Sequence, residues 1–195
     1  MNQQSRPLRQ RLRQSRRALS ARQQTLASAR VFHRISGQRY FRGAKRIAFY
    51  LASDGEIDPL LLLATALERG QHCYLPCIHP FNANRLLFVR YRQGDPLVRH
   101  RWGMLEPVLR KKALVSARTL DLAFVPLVGF DKERNRLGMG KGFYDRCFAF
   151  RTRSAKQRPQ LIGLGHECQR VETLESNSWD VRMDKIVSDY ETYQP

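Results

Sequence analysis

The segment that most restricts the fold is residues 120–128, which is apolar from Leu122 onward after the single break at Asp121. A strand with one wet face alternates, so an uninterrupted run predicts a strand covered on both sides, as in a parallel sheet flanked by helices. A polar, glycine-bearing loop over 131–142 and a helix from Phe143 come next, making a βα unit. The same alternation appears upstream. Residues 46–51 form a β-type run, Asp58-Pro59 opens a helix ending at Gly70, and residues 73–76 read as the next strand. Strand–helix–strand order means parallel strands with a right-handed crossover. Further strands are expected at 86–91, 161–165 and 185–188. The expected fold is α/β, a Rossmann-like three-layer sandwich with a mostly parallel sheet, in one domain spanning 1–195.

Ahead of the sheet lies a basic helical arm. Residues 1–46 hold thirteen Lys or Arg and no acid, so this arm carries most of the +18 net charge and residues 47–195 only +5. A helix is expected over 7–19, with Leu8, Leu12 and Leu19 on one stripe and Arg6, Arg9, Arg13 and Arg16 on another, a cationic rail. Ser20 reads as the N-cap of a second helix reaching about Ile35. Such a field selects for anions before it selects for chemistry: phosphate, nucleic acid, anionic lipid or polycarboxylate. No recognition module or clustered aromatic pattern accompanies the charge, so nucleic acid is a disfavoured alternative.

Four cysteines, at 73, 77, 147 and 168, lack zinc spacing. Cys73 and Cys77 fall on one face of a strand and read as buried, reduced core thiols of a cytoplasmic protein. The amino terminus has no apolar signal core and no run approaches a membrane span; its Arg-rich, acid-free start leaves a transit peptide as a minor alternative.

The chemistry concentrates in residues 136–146. Gly138, Gly140 and Gly142 clear side chains where backbone N–H groups could surround phosphate oxygens, Arg136 and Lys141 add positive charge, and Asp145 offers a hard oxygen ligand for magnesium. The spacing is neither GxxxxGK[ST] nor GxGxxG, so the pattern alone gives only an anionic, phosphate-bearing ligand.

Residues 124–131 with Asn135-Arg-Leu-Gly-Met-Gly-Lys-Gly-Phe-Tyr-Asp-Arg146 resemble the signature of the 5-formyltetrahydrofolate cyclo-ligase family. Leu8-Arg9, Arg16-Arg17-Ala-Leu-Ser20, Phe49-Tyr-Leu-Ala-Ser53 with Glu56, Tyr74-Leu-Pro76, and Trp102 with Glu106-Pro107 are similar to its other landmarks. The resemblance implies ATP- and Mg2+-dependent closure of 5-formyltetrahydrofolate, in simple or polyglutamylated form, to 5,10-methenyltetrahydrofolate by a monomer that needs no membrane. It implies Lys141 and Arg136 as the charge-stabilising catalytic residues. It implies an ATP site of Arg6, Arg9, Arg13, Arg136, Leu137, Gly138, Met139, Gly140, Lys141, Gly142, Phe143 and Tyr144. Leu51, Glu56 and the shared stretch Met139, Gly140, Lys141, Gly142 and Phe143 would hold folate, and Asp145 with Asp184 the metal. One departure stands out: where the family commonly begins K-x-x-L-R, this chain has Ser5-Arg-Pro-Leu-Arg9, so Arg6 replaces a lysine from the neighbouring position. A catalytically silent folate-binding relative is the remaining alternative.

Overall fold

The computed structural model describes residues 5–100, 103–153 and 158–195. In chain order the helices are α1 (Ser5–Arg17), α2 (Ala21–Ser36), α3 (Arg39–Arg42), α4 (Leu60–Glu68) and α5 (Phe143–Phe148). The strands are β1 (Arg46–Ala48), β2 (His72–His79), β3 (Asn82–Tyr91), β4 (Leu97–Arg99), β5 (Leu105–Pro107), β6 (Leu114–Val115), β7 (Leu122–Pro126), β8 (Gly129–Phe130), β9 (Arg136–Leu137), β10 (Gln160–Gly165), β11 (Lys185–Ser188) and β12 (Thr192–Tyr193). Eight of them form one sheet in the order β12-β11-β10-β7-β1-β2-β3-β6. The five central strands run parallel, and antiparallel strands close both edges.

The apolar run becomes β7, in the middle of this sheet, and its residues divide between two cores. Leu122 and Phe124 join α2 and α4 on one face; Ala123 and Val125 join Phe148, Leu161 and Ile186 on the other. Both faces are therefore dry, which is why the sequence shows no alternation. Phe124 sits 6.1 and 5.2 Å, centroid to centroid, from Phe41 and Phe49. Asp121, the one polar break, has a structural role at the amino end. Its carboxylate accepts from the N–H groups of Lys45 (3.0 Å) and Arg46 (2.9 Å), and its carbonyl accepts from Gln160 N–H (2.9 Å). One residue thus aligns the starts of β1, β7 and β10.

Several expectations need adjusting. Ser20 caps α2 with a reciprocal Gln23 capping box, as its position suggests, but α3 fills the space between Gly37 and Gly43 that reads as a break. Residues 131–142 are not one open loop. Buried Asp131 accepts from Asn135 N–H (3.0 Å), Asn135 Nδ2 (2.8 Å) and Leu174 N–H (2.9 Å), folding 129–137 into the β8–β9 hairpin. Only 138–142 remains a true glycine turn. The helix after it has just six residues, so little helix dipole is aimed at a ligand there.

The arm is also not a solvated rail. Leu12 and Arg16, one turn apart, are both buried, and α1 lies across the carboxyl end of β7. A Cβ added to Gly129 would stand 2.4 Å from Leu12 Cδ1, so this close approach requires glycine. Carboxyl ends of parallel strands are where open α/β sheets bind ligands. No helix among the described residues is long and apolar enough to cross a membrane.

Candidate active site

The site is assembled from the inner face of α1, the turn after β1, and the glycine turn after β9. Residues 53–56 form a tight turn in which Asp54 (φ 53°) and Gly55 (φ 75°) both occupy the left-handed region, closed by Glu56 N–H to Ser53 O at 3.0 Å. The turn presents Asp54 to three arginines of α1. Arg13 Nε reaches Asp54 Oδ2 at 2.8 Å, Arg16 reaches the same oxygen at 2.7 Å, and Arg17 pairs with Oδ1. Arg16, fully buried, also donates to Asp54 O (2.7 Å) and Leu127 O (3.2 Å). Burial alone would raise the Asp54 carboxyl, but hydrogen bonds from Arg13, Arg16 and Arg17 outweigh it and hold the group below its usual range.

Two residues further on, Glu56 is held by Ser53 N–H (3.1 Å) and lies 3.7 Å from Arg16. Here the balance reverses: burial wins over Arg16 and Ser53, and the Glu56 carboxyl is pushed up. Tyr50, whose hydroxyl donates to Ile57 O at 2.6 Å, and Tyr144 both feel the Glu56 charge, and burial raises both phenols. Glu56, 88 positions before Tyr144 by their numbers, is thus near enough for its charge to add to the effect of burial on that phenol. Leu51 packs against the core at the base of the same segment. His166 braces the turn from below, its Nε2 3.0 Å from Gly55 O, and burial lowers its pKa.

On the other side, Gly140 (φ 93°) and Gly142 (φ 61°) take conformations that favour glycine, which explains two of the three alternating glycines. At Gly138 an added Cβ would meet only the end of the Arg136 guanidinium, at 2.9 Å, and would press on that side chain and not on the backbone. Arg9 Nε donates to Gly138 O at 2.8 Å and its guanidinium lies alongside Gly140, tying α1 to the turn. Met139 and Lys141 are exposed on the turn, while Leu137 and Phe143 flank it, half-buried. Arg136 is bound to Asp145 at 2.5 Å and lies 5.9 Å over the Tyr144 ring; its Nε is buried without a hydrogen-bond partner.

The sequence-predicted residues are not all gathered. Arg9, Arg136, the glycine turn, Tyr144 and Asp145 converge, and Glu56 and Leu51 approach from β1. Arg13 is committed to Asp54, and Arg6 is exposed on the first turn of α1. Asp184 does not reach Asp145: it is held by Arg151 (2.8 Å) and Leu161 N–H (2.6 Å) where β10 and β11 begin. The carboxylate beside the site is Asp180, which acts on Arg9 and precedes Val181, whose N–H is 3.4 Å from Asp145 Oδ1. Glu106 accepts from Ile78 N–H (3.1 Å) and pins the β4–β5 hairpin to β2; Trp102 lies outside the described residues. Sequence reasoning missed Arg16 as a buried anchor, and Asp54 and Asp180 altogether. Two consecutive positive-φ residues at Asp54-Gly55 are the only local signal, a D-G turn dipeptide after a strand.

A site with a cationic glycine turn on one side and a buried carboxylate with aromatic neighbours on the other can align a phosphate donor with a planar, amide-bearing acceptor. Magnesium fits this donor set: Asp145 supplies carboxylate oxygen at the glycine turn, and such ions are commonly held by one or two carboxylates plus substrate phosphates. Among the described residues no group of three or more His, Cys, Asp or Glu could form an all-protein metal cage.

Known proteins resemble this chain over most of its length. The model of the 5-formyltetrahydrofolate cyclo-ligase family matches residues 1–189. The chain is 39% identical over 190 residues to the 5-formyltetrahydrofolate cyclo-ligase of Haemophilus influenzae, covering 96% of this chain and 99% of that one. It is 36% identical over 177 residues to the Escherichia coli K12 enzyme of the same name, covering 91% and 96%. The solution structure of Aquifex aeolicus 5,10-methenyltetrahydrofolate synthetase superposes with a TM-score of 0.82 at 26% identity, covering 97% of this chain and 92% of that one.

Proposed function

The chain belongs to the 5-formyltetrahydrofolate cyclo-ligase family, and from that premise we propose how its residues divide the work. The activity is that of an ATP-dependent ligase converting 5-formyltetrahydrofolate to 5,10-methenyltetrahydrofolate. ATP takes the glycine-turn side, with backbone N–H groups of residues 138–142, Lys141 and Arg9 receiving its phosphates, and Arg6 at the outer edge. The pterin enters between Leu51 and Tyr144, where Glu56 accepts paired hydrogen bonds from the 2-amino-pyrimidinone edge.

The formyl oxygen attacks the γ-phosphorus and ADP leaves. N10 then attacks the activated formyl carbon, loses its proton, and expels phosphate carrying the former formyl oxygen. Such chemistry asks the protein for positioning and charge neutralisation more than for a covalent nucleophile. Lys141 follows the transferred charge. Arg136, held by Asp145 beside the turn, adds positive charge for the same oxygens. A bound magnesium ion would supply neutralisation of phosphate charge; Asp145 would hold it, and Asp180 is closer to hand than Asp184. We further propose a single-domain monomer working in a reducing, cytoplasmic setting, in line with the unpaired thiols Cys73, Cys77, Cys147 and Cys168.

The observation that carries this reading is that one helix, α1, bonds to both halves of the site: Arg9 to Gly138 O of the glycine turn and Arg16 to Asp54 of the turn that bears Glu56. Ring closure followed by the absorbance of the methenyl product tests it. Product should form only with both ATP and Mg2+ present, and product formation without ATP would reject the assignment.

A further inference from the structure

The opposite end of the sheet carries a cleft that the ligase reaction does not use. It has a volume of about 1250 Å³ and is bounded by the first residues of β1 (Arg46), β10 (Gln160) and β11 (Lys185) and by Asp121 just before β7. Four neighbouring strands at roughly 4.8 Å spacing give this edge a span of about 14 Å. None of α1, Glu56 or the 136–144 segment lines it.

Its lining is strongly cationic. Arg39, Lys45, Arg46, Arg134, Arg151, Arg158, Arg182 and Lys185 face two carboxylates, Asp121 and Asp184. Those two are already engaged: Asp121 by backbone N–H groups, Arg46 and Arg158, and Asp184 by Arg151 and Leu161 N–H. Glu133, outside the lining, holds Arg182 at 3.2 Å. Two guanidinium groups are left incompletely satisfied. The Nε atoms of Arg134 and Arg151 are buried without a hydrogen-bond partner, and the Arg151 side chain is only 7% exposed. Buried N–H donors without acceptors cost free energy, and both belong to arginines on the lining of a cleft whose side-chain cations outnumber its carboxylates eight to two. Arg134 is moreover held there at φ 68° by the β8–β9 hairpin, whose carbonyl at the same residue accepts from Met183 N–H (3.2 Å).

We propose that this cleft is a second anion site, which binds a run of phosphate groups, either the phosphodiesters of single-stranded RNA or a free oligophosphate. Six of the eight cations are arginines, whose planar forks match phosphate oxygens in pairs. Their spread over four strand ends exceeds what one phosphate can contact. The site also uses part of the arm's charge: Arg39, Lys45 and Arg46 belong to the acid-free first 46 residues.

The test uses the full chain, a labelled 12-nucleotide single-stranded RNA and sodium tripolyphosphate, with polyglutamate as a carboxylate control. The triple variant Arg39→Gln, Arg158→Gln, Arg182→Gln removes three solvent-accessible cations of the lining and leaves the residues of the folate and ATP site untouched. Wild-type protein should retain RNA at low salt. The variant should bind at least tenfold more weakly, with its log–log salt slope reduced by about 2, at roughly 0.7 for each phosphate that is no longer neutralised. Ring-closure rates should stay unchanged. A control variant, Arg11→Gln with Arg22→Gln, removes two exposed charges of the arm outside the cleft and should bind as wild type. Displacement of RNA by tripolyphosphate at equal phosphate concentration assigns the site to oligophosphate; failure to displace it assigns it to the nucleic-acid backbone. Absence of retention of either ligand, equal loss in the control variant, or tighter binding of polyglutamate would overturn the proposal.

Discussion

Replacing Arg16 by methionine is the perturbation that separates an arm docked for function from one that merely carries charge. Arg16 is fully buried and makes two bonds to Asp54 at 2.7 Å, one to the side chain and one to the carbonyl, besides a weaker one to Leu127 O. Methionine keeps most of the apolar volume but none of these donors. Leu127 O retains a bond from Gln169 Nε2 (3.1 Å) and the Asp54 carboxylate retains Arg13 and Arg17, so of the three acceptors only the Asp54 carbonyl loses the donor that held it. The loss therefore falls at the low end for breaking a buried ion pair, about 3 kcal/mol. Most of it should appear as local release of α1, because the two sheet cores do not depend on Arg16. At about 1.4 kcal/mol per tenfold, the docked helix becomes roughly a hundredfold less favoured relative to its released form. Released, α1 withdraws Arg9 from Gly138 O, and the KM for ATP should rise at least tenfold with a smaller effect on folate. Limited trypsin digestion reads the same event directly, since α1 carries Arg9, Arg11, Arg13 and Arg17: cleavage there should accelerate while the sheet stays intact. Unchanged cleavage and unchanged KM for ATP would refute the claim that Arg16 anchors the arm.

Other outcomes follow from individual contacts. Glu56→Gln should raise the KM for folate ten- to a hundredfold with little change for ATP, read in the same absorbance assay. In the native enzyme burial raises the Glu56 pKa and only the carboxylate accepts both pterin donors, so folate affinity should fall as pH drops through that pKa; Glu56→Gln should flatten the profile. The same raised value makes the folded, unliganded protein bind the proton more tightly than the unfolded chain, so the Glu56 contribution to stability rises toward acid pH. Lys141→Ala should lower kcat sharply and leave thermal unfolding unchanged, since the residue is exposed. Gly140→Ala should cost about 1–2 kcal/mol through its φ of 93°, and not through a clash, because the new Cβ would lie 3.7 Å from Arg9. Thiol titration of the native protein should find Cys168 reactive first: Cys73 and Cys77 are buried, their pKa values pushed by burial to about 12 and about 11.

What could be read from the sequence was what short range encodes. Ser20 and Gln23 form a cap three residues apart, β7 is written as an unbroken apolar run, and Gly140 and Gly142 mark their own backbone conformation. Cys73 and Cys77 fall on the same strand face because strands have period two. What escaped was pairing across distance. Arg16 and Asp54 stand 38 positions apart, and no local pattern tells a buried arginine from the exposed ones at neighbouring turns. The resemblance offers Asp184 as a second metal candidate, and its surroundings are equally non-local: the carboxylate is held by Arg151 where β10 and β11 begin, while Asp180 acts on Arg9. The hairpin within 131–137 was hidden for the same reason, since Asp131 takes one of its donors from Leu174.

In the proposed reaction the formyl oxygen is the atom that ATP activates. Single-turnover ring closure of 5-formyltetrahydrofolate labelled with 18O in the formyl group, followed by mass analysis of the released phosphate, addresses that directly. One 18O atom per phosphate is the predicted result. Unlabelled phosphate, with the label released to water, would contradict it.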